Sequence, residues 1–468
     1  MKKVVIIGGG ISGLATAYYL KHEARKKGLN IEYTLIEKNN RLGGNILTEK
    51  INGFIIEGGP DCFIFEKPWV LELCRKLGLS DEVVNTKEGG QTFILWNRKL
   101  RSLPEGFILM IPTKILPFIF NSLISIPGKL RMALDLFLPK GDPDQDESLA
   151  EFVGRRFGSE VVEKIAEPLV AGIHAGNPET MSVKSSFPRF IDMEQKYRSL
   201  IIGMLKIRRK AKKAVEEKGP KYTMFLTLKE GLAELVEAIV GKLDKGSVIT
   251  GKSVEKIEKD GSHSYIVHVE GQEPVKADSV ILTTPAYVSA KLIKDIDKDM
   301  AADLAKISYV STATVSLAFK KSDIKEPLKG FGFVVPRLEG RKIMAATYSS
   351  QKFPYRAPED SVLIRCFVGG AKNEELVDLE EEEMIKMVRE ELAAILGIEA
   401  APILAKGFKW KKAMSQRNVG HSKIVKSLDH RQNGHQGLFL TGSAYKGVGL
   451  SDSVHNGELA AQEAVKLL

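Results

Sequence analysis

The apolar positions of this chain change period from segment to segment, and each change marks an element. Val4-Val5-Ile6-Ile7 is an unbroken β-branched run, the pattern of a parallel strand buried on both faces. Residues 14–27 follow with Leu14, Ala17, Tyr18 and Leu20 on one helical face, and 31–36 return to a strand pattern that stops at Glu37. Further on, 71–77 predicts a helix and 92–95 with 99–103 a short hairpin. Residues 148–162 predict one amphipathic helix, with Ser148 as N-cap ahead of Glu151. The second half carries strand patterns at 251–257, 264–269, 277–285, 312–319, 332–336 and 362–368, with a helix near 380–396. A strand at 437–442, a loop at 447–452 and a helix at 453–467 close the chain.

Two stretches depart from this alternation. Residues 107–126 are strongly apolar but broken by Pro112, Lys114 and Pro117, whereas a spanning helix needs about 20 mostly apolar residues without such breaks. They predict either a core segment or an exposed apolar lip at a substrate entrance. Residues 204–218 are the densest basic run and contain no aromatic side chain on which a base could stack. A solvated surface segment or an anion-attracting rim fits them; a nucleic-acid site does not.

The glycines between the first strand and helix carry the strongest chemical signal. Gly8-Gly9-Gly10-Ile11-Ser12-Gly13 fits G-x-G-x-x-G, with Gly8 for a tight turn, Gly10 for close approach of a pyrophosphate and Gly13 for helix–strand packing. The free N–H groups of the helix N-terminus suit phosphates, and Glu37 at the end of the second strand suits ribose hydroxyls. Together these predict a dinucleotide site. Beyond Glu37 and Lys38 lie Arg41, Gly43 and Gly44, which bring more backbone against a diphosphate; Arg41 either contacts it or closes the loop.

Length and charge change the picture only modestly. At 468 residues the chain exceeds the size at which one core stops growing, so two or three domains are expected. With 43% hydrophobic and 27% charged residues it is a globular composition. The net charge of +10 fits a solvated basic surface or, more sharply, nucleic acid, an anionic membrane face or acidic small molecules, and does not by itself choose among them. Cys62, Cys74 and Cys366 have no metal spacing, and His263/His268 and His430/His435 have no partner cluster, so no metal is expected and a reduced, cytoplasmic setting is. The N-terminal apolar run is too short for a signal peptide.

The phrase from Glu37 through Arg41 to Gly43-Gly44 resembles the flavoproteins that include amine oxidases, phytoene desaturases and protoporphyrinogen oxidases, which implies non-covalent FAD. Three further phrases sharpen the resemblance: Gly58-Gly59-Pro60-Asp61-Cys62-Phe63, Glu167-Pro168-Leu169-Val170-Ala171-Gly172-Ile173-His174-Ala175-Gly176-Asn177, and Gly330-Phe331-Gly332-Phe333-Val334-Val335-Pro336. They resemble the oxygen-dependent porphyrinogen oxidases, and among these the soluble Gram-positive coproporphyrinogen III oxidases. The implied fold is α/β with an α+β substrate domain. A Rossmann-like FAD-binding domain (1–60, 222–285, 406–468) is interleaved with a substrate domain (61–105, 165–221, 286–405) and a helical entrance or membrane-facing region (106–164).

By the same resemblance, FAD would contact Gly8 to Gly13, Glu37, Lys38, Arg41, Gly43, Gly44, Gly59, Pro60, Asp61, Cys62, Val254, Trp410, Leu450, Ser451 and Asp452. Lys67 would face a substrate propionate, and Gly172 and Ile173 would line the porphyrinogen cavity. The implied reaction removes six electrons from a porphyrinogen, with O2 reduced to hydrogen peroxide, in heme biosynthesis. Partners would be the porphyrinogen, O2, a downstream heme-pathway enzyme and a peripheral membrane surface. No catalytic base is indicated. Two positions depart from the soluble branch: His174 where it usually has Tyr, and Asn45 where it has Lys or Arg. His174 adds a titratable group near substrate or is a packed histidine. A protoporphyrinogen IX oxidase is the alternative of the same fold. An amine oxidase fits less well, since no cysteine follows Cys366 to hold flavin covalently. A non-catalytic flavin-binding protein is the alternative from another class.

Overall fold

The computed structural model describes residues 1–103, 106–108, 110–218, 222–261 and 264–468. His263 of the 263/268 pair and Leu109 of the apolar stretch lie outside the described residues, as do the side chains of 210–218 in the basic run.

Strands from opposite ends of the chain assemble one five-stranded parallel sheet, in the order Val248–Thr250, Ile31–Glu37, Lys2–Ile7, Ser279–Leu282, Leu438–Leu440. Alternation decides what each face covers. Val4 and Ile6 pack toward the helices Ile11–Lys26, Trp69–Leu77, Ala233–Val240 and Leu450–Leu467. Val5 and Ile7 pack toward a three-stranded antiparallel layer (Val254–Asp260, Ser264–Val269, Val275–Ala277) and the helices Ala286–Ile293 and Lys298–Ala305. The first and last helices of the chain cross closely at Gly457, where a Cβ would lie 2.7 Å from the Ser12 carbonyl oxygen.

Boundaries move where a cap or a turn outweighs periodicity. The first helix starts at Ile11 rather than 14, because extended Gly10 serves as its N-cap. The last starts at Leu450 rather than 453: Gly449 is its extended N-cap, and the Asp452 carboxylate accepts the Gly449 N–H at 3.2 Å. Residues 450–452 are therefore a helical first turn, not a loop. The expected strand 251–257 is displaced to Val254–Asp260, since Gly251 (φ +68°) turns the chain out of the parallel sheet. The expected strand 277–285 divides at Asp278 into Val275–Ala277 and Ser279–Leu282, which join different sheets.

A second body is built on a seven-stranded sheet ordered Leu404–Ser415, Tyr309–Lys320, Ser361–Gly369, Ile343–Tyr348, Gly332–Val334, Thr92–Trp96, Lys99–Ser102. The early hairpin thus extends a sheet made mainly by residues past 300, and helix Glu381–Leu396 covers one face. The first residues of the 406–468 segment belong to this sheet, not to the parallel one.

The expected single helix 148–162 is three pieces. Ser148 and Glu151 form the predicted reciprocal cap, but Leu149–Phe157 ends at Gly158 (φ +93°). A short turn and a π-helical segment, Val162–Ala166, then lead into Glu167–His174. Pro168 accounts for the wide turn: it has no N–H for a carbonyl four residues back, and its ring crowds that carbonyl. Nearby, Arg156 is fully buried, bonded to the Asp135 carboxylate and, at 3.3 Å, to Glu194. That network ties the turn Leu134–Leu136 to the helices behind it. The apolar stretch divides into the hairpin Phe107–Ile108/Ile111–Pro112, which ends at Pro112, and the helix Ile115–Phe120, whose first turn accommodates Pro117. Among the described residues no helix is long and apolar enough to cross a membrane.

Candidate functional site

The glycine loop is shaped by what a side chain would strike. A Cβ on Gly8 (φ +109°) would lie 2.6 Å from Thr283 Oγ1, one on Gly9 would lie 2.6 Å from Leu42 Cδ2, and one on Gly13 would collide with the Gly8 carbonyl. Gly10 differs: the nearest atom is Gly44 Cα at 3.9 Å. The protein leaves space over that one position, which is a cradle rather than a packed turn. Gly43 N–H donates to the Gly9 carbonyl at 2.8 Å and brings the second glycine pair alongside.

Glu37 is buried at the end of its strand. Its Oε2 accepts the Gly9 N–H at 2.7 Å, and its Oε1 accepts Asn39 N–H at 2.9 Å and Asn39 Nδ2 at 2.6 Å. Oε1 is thereby filled, and Oε2 keeps one lone-pair site for a hydroxyl. Lys38 is exposed beside it. Arg41 closes the loop: its guanidinium donates to the carbonyls of Leu42 (3.1 Å), Ile46 (2.7 Å) and Gly44. Val254 opens its strand two residues after Lys252, whose N–H donates to the Glu37 carbonyl at 3.2 Å.

The segment Gly58 to Cys62 is held by side chains from the seven-stranded sheet. Trp410 Nε1 and Thr314 Oγ1 each donate to the Gly58 carbonyl at 2.8 Å, and the buried Arg365 guanidinium donates to Gly59. A Cβ on Gly59 would collide with the Asn45 carbonyl, so the backbone at Asn45 is what this position presents to the loop. After Pro60, Asp61 pairs with Lys352 at 2.9 Å. Burial alone would raise the Asp61 carboxyl, but Lys352 and Arg365 hold it well below the usual carboxylate range. Burial and then Asp61 push the Cys62 thiol up to about 12, so it is no thiolate nucleophile. Sequence reasoning missed Lys352 and Arg365; they lie outside any phrase, and only the tertiary fold brings the end of helix Ser349–Lys352 and the strand Ser361–Gly369 here.

At the start of the last helix, Leu450, Ser451 and Asp452 form the first turn. Around it Thr441 Oγ1 and Ser451 Oγ are buried without a hydrogen-bond partner, and the backbone of Gly442 passes near Ser12. Buried orphan hydroxyls and the space over Gly10 are what a polar group seated between these segments would satisfy. The residues present fit a dinucleotide.

Lys67 Nζ reaches both Asp452 oxygens, at 2.6 and 2.8 Å, and its side chain is 40% exposed. On the other side lies helix Glu167–His174. A Cβ on Gly172 would lie 3.1 Å from Val334 Cγ1, which seats the helix on the sheet, while Ile173 is 63% exposed. His174 packs edge-on against Phe187 at 5.6 Å between centroids. Burial, with the charges of Arg417 and Lys67, lowers its pKa to about 4, so it is neutral near neutral pH. Arg417, also unforeseen, is buried; its Nη1 donates to the Ser185 carbonyl at 3.1 Å, and its Nε and Nη2 have no acceptor. Among the described residues no group of three or more His, Cys, Asp or Glu is placed to hold a metal ion.

Residues 11–465 match the family described as flavin containing amine oxidoreductase. The chain is 38% identical over 468 residues to the coproporphyrinogen III oxidase of Bacillus subtilis (strain 168), covering 100% of this chain and 98% of that one. It is 35% identical over 471 residues to the coproporphyrinogen III oxidase of Staphylococcus aureus (strain NCTC 8325 / PS 47), covering 99% of each. A crystal structure of a protein from Exiguobacterium sp. 255-15 matches with a TM-score of 0.87 at 32% identity, covering 99% of both chains.

Proposed function

The chain belongs to the flavin-containing amine oxidoreductase family, on the branch of the coproporphyrinogen III oxidases, and from that premise we propose that it oxidises coproporphyrinogen III to coproporphyrin III in heme biosynthesis. FAD is its cofactor, held without a covalent bond along the cradle from Gly8 to Gly13, Glu37 to Gly44, Gly59 to Cys62 and Leu450 to Asp452. The chemistry that FAD bound there would supply is two-electron oxidation of the macrocycle, with O2 as the acceptor and hydrogen peroxide as the product. The protein supplies position and field. Leu450 to Asp452 present a helix N-terminus, whose partial positive charge favours negative charge developing beside it. Ile173 and the backbone of Gly172 offer an apolar wall to a flat substrate.

The observation that carries this reading is the meeting of that helix start with Lys67, a partly exposed cation bonded to Asp452. A carboxylate-rich substrate would have its charged arm at Lys67 and its ring beside the cofactor segment. Coproporphyrinogen carries four propionates and protoporphyrinogen IX two, so a basic mouth favours the former. The test is a comparison of kcat/KM for both porphyrinogens on FAD-loaded enzyme. The expected preference is about tenfold or more for coproporphyrinogen; a preference for protoporphyrinogen IX would transfer the chain to the sibling activity.

A second surface belongs to the same proposal. Ile126, Leu130, Leu134 and Phe137 are exposed at helical spacing, beside exposed Leu116 and Phe120. Lys129 lies within that stretch and Lys140 just beyond it, and the chain is net basic at +10. An apolar stripe with neighbouring cations suits peripheral contact with an anionic lipid surface.

A further inference from the structure

We propose that Arg189 is a second carboxylate anchor at the substrate opening, selective for a macrocycle with a carboxylate on every side, and that Glu66 holds its guanidinium until a substrate carboxylate displaces it. The inference rests on the proposed carboxylate-bearing substrate.

The residues placed at either end of that substrate, Lys67 and Ile173, are joined by an unbroken run of contacts that passes through Arg189. Lys67 closes a turn, its N–H donating to the Ile64 carbonyl at 3.3 Å, with Phe65 and Glu66 at the tip. Glu66 Oε2 accepts Arg189 Nη1 at 3.1 Å. Arg189 stands in the first turn of helix Pro188–Tyr197, which begins directly after Phe187. The Phe187 ring meets His174 edge-on, and His174 ends the helix that carries Ile173. Arg189 therefore shares one rim with Lys67 and the helix wall. Exposed Phe65 and Ile173 give that rim apolar surface between its charges, which suits a flat ring with acidic arms.

Access distinguishes this pair from the other cations near the site. The side chains of Arg189 and Glu66 are 70% and 58% exposed. An exposed ion pair contributes little to stability, so a substrate carboxylate displaces Glu66 at small cost. Coproporphyrinogen III bears a propionate on every pyrrole ring, so any rotation of the macrocycle that seats one arm at Lys67 leaves another for Arg189. Protoporphyrinogen IX bears propionates on neighbouring rings only and reaches both cations in fewer rotations. Arg189 thus adds a discrimination that Lys67 alone does not supply.

The test pairs two substitutions of opposite sign, each assayed for KM and kcat with both porphyrinogens on FAD-loaded enzyme at low salt. Both side chains are exposed, so neither change disturbs the fold. Arg189→Gln is expected to raise KM for coproporphyrinogen III about tenfold and for protoporphyrinogen IX less than about threefold, with a smaller effect on kcat. Glu66→Gln frees the guanidinium and is expected to lower KM for coproporphyrinogen III about threefold. A merely structural ion pair would move KM in the same direction in both variants, and that result would overturn the inference. Equal losses on the two substrates, or an unaltered KM in Arg189→Gln, would overturn it as well while leaving the oxidation of coproporphyrinogen III standing. Wild-type enzyme that oxidises no coproporphyrinogen III would overturn the substrate reading, and this inference with it.

Discussion

Gly10 separates cofactor binding from folding more cleanly than any other glycine of the loop. A side chain there meets no protein atom nearer than 3.9 Å, whereas at Gly8, Gly9 or Gly13 it would strike the protein itself. Gly10→Val should therefore leave the fold intact and reduce FAD content to about a tenth or less, by closing the space a pyrophosphate needs. Full FAD occupancy in the purified variant would contradict the cradle. Lys67→Ala should raise KM by about tenfold, about 1.4 kcal/mol, with a smaller fall in kcat, because it removes binding common to ground and transition states. An unaltered KM would move the carboxylate anchor elsewhere. The histidines add a pH dependence of stability. Burial holds His174 and His421 at about 4 against an ordinary 6.5. As pH falls through about 6.5 the unfolded chain takes up these protons and the folded chain does not until about 4, so stability declines across that window. The loss should be about 2 kcal/mol per histidine near pH 5. Melting temperatures near pH 7 and 5 measure it, and a His174→Phe, His421→Asn double variant should flatten the difference.

The elements that hold the site differ in how far local sequence announces them. The glycine loop, its flanking strands and the Ser148–Glu151 cap were legible because each rests on residues a few positions apart. The helix end at Gly158 overrode an amphipathic pattern that continues through it to 162, and the π-helical turn before Pro168 lies partly beyond that pattern. Arg156 was equally silent, since a buried ion network is composed of residues 21 and 38 positions away. Its removal should be severe: Arg156→Leu leaves Asp135 buried without its cation, while Glu194 keeps Arg155, and should cost about 3–5 kcal/mol, read as a drop in denaturant midpoint. The turn that carries Asp135 also carries the exposed Leu134 and Leu136, so this network sets the apolar stripe outward. Replacing Phe120 and Phe137 with Ser should weaken sedimentation with anionic vesicles by about tenfold without altering turnover of dissolved substrate. Equal sedimentation would remove the lipid contact from the account.

At the scale of the whole molecule, topology converts distant segments into one site. Strand order places residues 2–7, 31–37, 248–250, 279–282 and 438–440 in a single sheet, and family resemblance had already implied that interleaving. What resemblance did not reveal is a set of cations: Lys352, at the end of the one-turn helix Ser349–Lys352, and Arg365, on a strand, hold the loop from Gly59 to Asp61, while Arg417 donates to the Ser185 carbonyl. Their meaning comes from pairing partners hundreds of residues away, such as Asp61 for Lys352. The central claim joins the two halves of the molecule: FAD along the parallel sheet oxidises a porphyrinogen held against the second body. The most direct measurement is the stoichiometry of the aerobic reaction of FAD-loaded protein with coproporphyrinogen III, following coproporphyrin fluorescence and peroxide together. Removing six electrons two at a time requires about three peroxides per coproporphyrin III formed. That ratio is the predicted result; no enzyme-dependent coproporphyrin, or porphyrin formed without peroxide, would contradict the account.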